Sequence, residues 1–256
     1  QDDGAYVSVL QKDDRVFAAV ADGSLIVNDP LKVSIWEVDP QAPAEARELF
    51  SGFSSNSRGP ALFSMAGRDF LGLVEDSSEI AFYDVSDCLD HDGPGTCGSL
   101  GPPLATQEIL HINKLYEFLD ISTSDDGHTW AYYGFMTSPG LFGRKFEYLL
   151  DVSPLVSVTP ETAATNGPLT LPEVTDGGDT YMNSLPCANT APIDYWGDYY
   201  PLNRYGLSFF TPRHGIFIGD RFYRAAFTLL DVHELVGLFS DDFESGGLGA
   251  WTVGEN

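Results

Sequence analysis

The stretch 122-STSDDGHTW-130 crowds two aspartates, a histidine and a tryptophan into nine residues. Such density suits a site of chemistry or a tight turn, and the choice between them decides how the surrounding chain folds. Counted backward from Trp130, the residues Thr129, Gly127, Asp125 and Thr123 fall at alternate positions, giving Thr-x-Asp-x-Gly-x-Thr-Trp. The stretch sits inside a longer region, 115–152, that reads as one group of short strands.

The same strand pattern recurs along most of the chain. Runs rich in Val, Ile, Phe and Tyr stand between turn signals: 6-YVSVL-10, 15-RVFAAVA-21, 32-KVSIWEV-38, 69-DFLGLVE-75, 79-EIAFYDV-85, 144-RKFEYLLDV-152, 206-GLSFF-210, 214-HGIFIGD-220 and 222-FYRAAFTLLDV-232. Several alternate with period two, long helical periodicity is hard to find, and 26 Gly with 16 Pro supply the turns. The expected class is all-β. Residues 6–50 and 60–112 read as about four strands each, 115–152 as a third set and 195–235 as a fourth. Groups of this size match a four-stranded propeller blade, and 61-ALFSM-65 followed by a short turn and 69-DFLGLVE-75 fits a radial meander. A β-sandwich is the competing architecture. Residues 1–239 read as one domain, interrupted near 153–194 by a stretch rich in Pro, Thr, Asn and Gly that is either an irregular blade or a long insertion. Residues 240–256 form a polar, Gly-rich tail.

The spacing Thr123, Asp125, Gly127, Thr129, Trp130 resembles the Asp-box, or BNR repeat, of sialidases and related secreted β-propellers, whose usual form is Ser/Thr-x-Asp-x-Gly-x-Thr-Trp. All five signature positions match. The resemblance implies a hairpin turn between outer strands of a blade, away from the ligand face. Its physics agrees: Asp125 can accept turn N–H groups, Gly127 can take a left-handed conformation, Thr129 can tie back to the loop, and Trp130 can bury its ring between sheets. His128 is then a turn residue. A looser likeness lies in 195-YWGDYYPLN-203 with 208-SFFTPRHGIFIGDRFYRAAF-227, which resembles a Trp-Gly-Asp-Tyr stretch of bacterial secreted BNR-like propellers; the Asp-Pro turn of those chains is replaced by Thr211-Pro212. The tail 241-DDFESGGLGAW-251 looks like an element near the carboxyl ends of bacterial exported proteins. Four strand groups and the irregular segment suggest five blades, whereas sialidase-type propellers have six.

Charge narrows the partners. Over 256 residues, 13 Lys plus Arg stand against 38 Asp plus Glu, a net −25, while an apolar content of 43% is ordinary for a folded chain. That field repels phosphate backbones and anionic lipid, so nucleic acid and membrane surfaces are excluded as partners. Cations, neutral glycans and extracellular protein surfaces remain. No run of roughly 18 apolar residues offers a spanning helix. The chain opens at Gln1 without a charged and then apolar leader, as a mature secreted chain would.

Among three cysteines, Cys88 and Cys97 flank 88-CLDHDGPGTC-97, a span short enough for a disulfide, and Cys187 is left over. This points to an oxidising, extracellular setting. On the same loop Asp87, Asp90 and Asp92 offer oxygen ligands for Ca²⁺, against the alternative of a solvated acidic turn. EF-hand spacing is not met, because Cys88 takes the first ligand position and no Glu closes the loop. The segment 176-DGGD-179 is a weaker candidate of the same kind.

Catalytic motifs are scarce. The sialidase family uses three arginines, a Tyr–Glu nucleophile pair and an Asp acid/base, with its first arginine in Arg-Ile-Pro. No Arg-Ile-Pro occurs among the nine arginines here. Gly-x-Ser-x-Gly, phosphate-binding glycine loops and His-Glu-x-x-His are absent as well. No catalytic residue is assigned. For ligand binding the sequence nominates Tyr195, Trp196, Asp198 and Tyr199 with Arg204, Arg213 and His214, since Tyr and Trp give flat faces for sugars or peptides. The resulting expectation is a secreted or cell-surface, bacterial, non-catalytic recognition or structural module. A sialidase-like glycoside hydrolase and a subunit of a self-associating extracellular assembly are the alternatives.

Overall fold

The computed structural model describes residues 5–22, 31–42, 45–54, 58–75, 79–93, 96–109, 114–125, 127–137, 145–171, 212–219, 221–226 and 229–234. Fifteen strands among them form four sheets. The first is an antiparallel meander of β1 (Ala5–Lys12), β2 (Arg15–Asp22), β3 (Leu31–Val38) and β4 (Arg47–Ser54). In the second, β5 (Arg58–Met65), β6 (Arg68–Glu75), β7 (Glu79–Asp84) and β8 (Ala105–Glu108) also run as a meander. The third holds β9 (Lys114–Thr123), β10 (Thr129–Thr137) and β11 (Lys145–Asp151), and the fourth β13 (Pro212–Ile218), β14 (Arg221–Ala226) and β15 (Leu229–Glu234). The leading strand of each sheet packs against the leading strand of the next: β1 on β5, β5 on β9, β9 on β13. Serine hydroxyls stitch two of these junctions, with Leu62 N–H donating to Ser8 Oγ and Phe217 N–H donating to Ser122 Oγ.

The second sheet is buried on both faces, which explains why β6 reads Phe-Leu-Gly-Leu-Val rather than alternating with polar residues. Phe70, Val74, Ile80 and Phe82 point into one core shared with the third sheet, whereas Leu71, Leu73, Ala81 and Tyr83 point into a second core shared with the first. Gly72 has a packing reason. A Cβ there would lie 3.0 Å from both Leu119 of β9 and Phe82, so the glycine lets the neighbouring sheet close in. The β5–β6 hairpin turns through Ala66 (φ 52°) and Gly67 (φ 77°), the left-handed pair that a two-residue hairpin demands.

One strand expectation needs correction. Residues 222–232 are not one strand but parts of β14 and β15, paired antiparallel with Ala226 opposite Leu229. The stretch after β11 is locally helical, with a 3₁₀ turn Ser153–Ser157 and α2 (Pro160–Asn166). It then returns as β12 (Leu169–Thr170), which pairs parallel to β8 and gives the second sheet a fifth strand. Arg68 binds this return: its guanidinium pairs with Asp84 and donates to the carbonyls of Leu155, Val156 and Val158. Among the described residues no helix is long and apolar enough to cross a membrane.

Candidate functional site

The motif stretch proves to be a junction between sheets. It closes the β9–β10 hairpin, with Thr123 opposite Thr129 and their hydroxyls 3.1 Å apart. Ser124 N–H donates to the His128 carbonyl, Gly127 N–H returns to the Ser124 carbonyl, and Gly127 takes φ 86°. Trp130 is 2% exposed, and its indole N–H donates to Ser124 Oγ at 2.9 Å. The ring meets Phe217 of β13 at 5.7 Å between centroids, and Asp125 N–H donates to the Gly219 carbonyl at the end of that strand. Thr129 N–H reaches Ser153 Oγ, and His128 Nδ1 lies 3.1 Å from Asp151. Every one of these contacts ties the third sheet to itself, to the fourth sheet or to the helical return. Ser124, a variable position in the motif pattern, is the indole's partner, and only the three-dimensional turn reveals it.

A cleft of about 450 Å³ lies at the junction of the first two sheets. Val33 and Phe50 line one wall, Leu73, Glu75 and Tyr83 the other, and the segment 98–103 forms a strap over it. Each end of the strap is fixed. Cys97 forms a disulfide with Cys88, as the sequence spacing anticipated, and its N–H donates to the Leu49 carbonyl of β4. At the other end Leu104 N–H donates to the Phe82 carbonyl of β7. Arg47 steadies the loop leading in: it pairs with Glu37 and donates to the carbonyls of His91 and Gly93. At Gly52 an added Cβ would stand 2.6 Å from the Phe50 ring, which would have to shift to admit it.

Tyr83 donates its phenol proton to Glu75 Oε1 at 2.6 Å. Burial first, and then this carboxylate, raise the phenol above its ordinary pKa of 10.0, so Tyr83 stays a proton donor through the neutral range. Glu79 stands directly opposite Glu75 across the β6–β7 pair. Among the described residues that line the cleft Glu75 is the acidic one, and Val33, Phe50, Ser51 and Gly52 opposite it are uncharged.

The loop carboxylates nominated for calcium are not gathered into one ligand set. Asp90 lies 2.7 Å from Lys12 Nζ, Asp92 lies 3.7 Å from Arg15, and exposed Asp87 is in the first turn of the short helix α1 (Ser86–Leu89). Among the described residues no group of three or more His, Cys, Asp or Glu is placed to hold a metal ion. The aromatic candidates Tyr195, Trp196, Asp198, Tyr199 and Arg204, together with Cys187, 176-DGGD-179 and 206-GLSFF-210, lie outside the described residues, and Arg213 and His214 are described only as backbone of β13.

No protein-family model matches the chain, and no curated protein matches it. Among solved structures it is similar to one titled Bacteroides ovatus xyloglucan PUL GH43B, at 13% identity and a TM-score of 0.34. The alignment covers 62% of this chain and 29% of that one, so this chain spans less than a third of its length. What the strapped cleft offers chemically follows from its walls. It has a mainly apolar lining, two aromatic side chains, and a carboxylate that accepts from a phenol which does not ionise near neutrality.

Proposed function

We propose that this chain is an extracellular recognition module with β-propeller organisation, and that the strapped cleft between its first two sheets is its ligand site. Successive sheets that pack leading strand to leading strand support the radial arrangement, as does a sheet buried on both faces. The Cys88–Cys97 disulfide supports an oxidising compartment. The observation that carries the functional reading is the cleft itself. Its volume falls within the range of about 300–1,000 Å³ usual for small-ligand sites, and its lining is mainly apolar with a few placed polar groups.

Binding fits the cleft better than hydrolysis. Glycoside hydrolysis uses two carboxylates on opposite sides of the scissile bond, and among the described residues that line the cleft Glu75 is the one carboxylate. Tyr83, with its raised pKa, suits a fixed donor and not a nucleophile. The test uses Gly101 on the strap, where an added Cβ meets nothing within 4 Å. A ligand screen by protein-observed NMR over neutral glycans, peptides and small organic molecules should give hits that Gly101→Trp abolishes without loss of stability. The same hits should be recovered unchanged after prolonged incubation. Turnover of a hit, or binding indifferent to Gly101→Trp, would remove the reading.

A further inference from the structure

We propose that the chain associates head to tail with a second copy of itself, the outer face of its first sheet docking on the far face of its neighbour's fourth sheet. This surface is separate from the strapped cleft and does not depend on it. Three observations converge on it.

The first is an uncharged apolar face on a strongly acidic chain. Phe17 and Ala19 of β2 and Ile35 of β3 are buried in the core shared with the second sheet. Strand alternation puts Val16, Ala18 and Val20 of β2, with Ser34, Trp36 and Val38 of β3, on the opposite face. Val7 and Val9 of β1 join them, opposite Val20 and Ala18, and are 58% and 62% exposed. None of these positions is ionisable, although the chain carries a net −25. Trp36 gives its indole N–H to Ser34 Oγ at 2.8 Å, so the polar atom of the ring is satisfied within the face. Charge enters toward the rim, where Glu48 of β4 lies 3.6 Å from Lys32.

The second is a matching surface at the other end of the row of sheets. Phe217 of β13 turns toward the third sheet, where its ring meets Trp130. Its neighbours Ile216 and Ile218 lie on the other side of the strand and are 43% and 57% exposed. Branched aliphatic side chains on a leading strand therefore mark both ends of the row. A basic partner would seek carboxylates, which the first sheet's outer face does not offer. An apolar partner is required, and Ile216 and Ile218 supply one.

The third is continuity. Within the chain, leading strand packs on leading strand three times over: β1 on β5, β5 on β9 and β9 on β13. Setting β13 of one copy against β1 of the next repeats that junction once more, through the side of each strand that the internal junctions leave exposed. Such a contact is heterologous, so every copy carries one face of each kind. Four strands of eight residues span roughly 19 Å by 26 Å, which limits the covered area to about 500 Å² on each copy. Interfaces of that size are weak, and copies of like charge repel one another. Association should therefore tighten with salt, which screens the repulsion and leaves the apolar contact intact.

Sedimentation equilibrium of the whole chain from about 1 to 200 μM, at about 0.05 and 0.5 M sodium chloride, tests this. The wild type should form oligomers whose dissociation constant falls at least about threefold in the higher salt. Val9→Glu and Ile218→Glu should each weaken association at least about tenfold while leaving the urea midpoint of the dilute chain nearly unchanged, because both side chains are exposed. Val156→Glu, at an exposed apolar residue of the 3₁₀ turn, should leave association as it is. An equimolar mixture of the Val9→Glu and Ile218→Glu chains should regain pairing, since each supplies the face that the other lacks. A chain that stays monomeric throughout, association that weakens as salt rises or follows Val156→Glu, or a mixture that does not pair would overturn the proposal. Loss through Val9→Glu but not Ile218→Glu would overturn it in favour of the first sheet docking on its own counterpart. A urea midpoint lowered far more by Val9→Glu than by Ile218→Glu would overturn it in favour of residues 172–211 or 235–256 of the same chain covering the face.

Discussion

Replacing Lys12 with Met should destabilise the chain by about 2–3 kcal/mol, because it strands a buried carboxylate. Asp69, at the start of β6, is 1% exposed. One of its oxygens accepts from Lys12 Nζ at 2.7 Å and the other from Ser64 Oγ. At an effective dielectric near 20 the Lys12–Asp69 attraction is roughly 6 kcal/mol before desolvation is charged against it. Removing one partner of a fully buried pair usually costs about 3–5 kcal/mol. Here the cost is smaller because the lysine side chain keeps 29% of its exposure and Ser64 still serves Asp69. The second contact of Lys12, to Asp90 at 63% exposure, adds little. Urea melts of wild type, Lys12→Met, Asp69→Asn and the double variant read the effect, and the double variant should lose about 1–2 kcal/mol less than the two single losses combined. The hydrogen bond that Lys12 donates to Asp69, seconded by the one it donates to Asp90, raises the Lys12 pKa above 10.5. The stabilisation is therefore complete below the unfolded-chain value and disappears as pH rises through the raised one. Lys12→Met should lack that alkaline limb. A Lys12→Met midpoint shift equivalent to less than about 0.5 kcal/mol, or strict additivity in the cycle, would refute the buried-latch argument.

Three more outcomes follow from the same structure. Ser124→Ala should cost about 1–3 kcal/mol, because it leaves the Trp130 indole N–H buried without its acceptor, and a red shift of tryptophan emission before global unfolding would mark the loosened junction. Replacing Cys88 and Cys97 together with Ala should cost about 2–3 kcal/mol in chemical denaturation, as expected for a loop closed over nine residues, and should speed hydrogen exchange at the Cys97 and Leu104 amides that anchor the strap. In acid, two carboxylates titrate below their ordinary values. Arg15 holds Glu37 below 4.5, and for Asp84 burial pushes upward but the Ser86 hydroxyl and Arg68 outweigh it and hold it below 3.8. Their stabilisation is present above the unfolded-chain values and is lost as pH falls through the lowered ones, so acid unfolding should begin below about pH 4. In Arg68→Met it should begin at higher pH, measured by circular dichroism.

What could be read from the sequence was local. Strand alternation in β1 and β2, the apolar run of β6 and the short Cys88–Cys97 span each express one neighbourhood of the chain, and each reappears in three dimensions. The turn at 122–130 was legible because its residues answer to one another within nine positions. The partner of Trp130 was not, since any short polar residue could fill position 124 of the pattern. The helical return escaped because its two turns are too short to display a period. Its signal was the cap: Thr159 and Thr162 exchange hydrogen bonds around Pro160 at the first helical position. The cleft was the hardest to see. Val33, Phe50, Leu73 and Tyr83 look like ordinary strand residues, and the Tyr83–Glu75 bond exists only once the β6–β7 register puts both on one face. The nearest clue was the glycine-rich run after Cys97.

Strand β6 carries both ends of this logic, and that gives a test of whether stability and recognition are separable. At its start Asp69 is answered by Lys12 and Ser64, and charge is balanced within the chain. At its end Glu75 stands opposite Glu79 and accepts from Tyr83 beside the cleft. Six residues of extended chain separate them, about 20 Å at the usual rise of a strand. A screened charge pair at that distance has little direct influence on a ligand. Lys12→Met should therefore lower the urea midpoint while leaving the affinity of a cleft-bound probe within about twofold, and Gly101→Trp should do the reverse. If Lys12→Met weakened binding as much as it weakened folding, the two sheets would have to move as one two-state unit, and the strap's two anchors would not suffice to hold the cleft in shape.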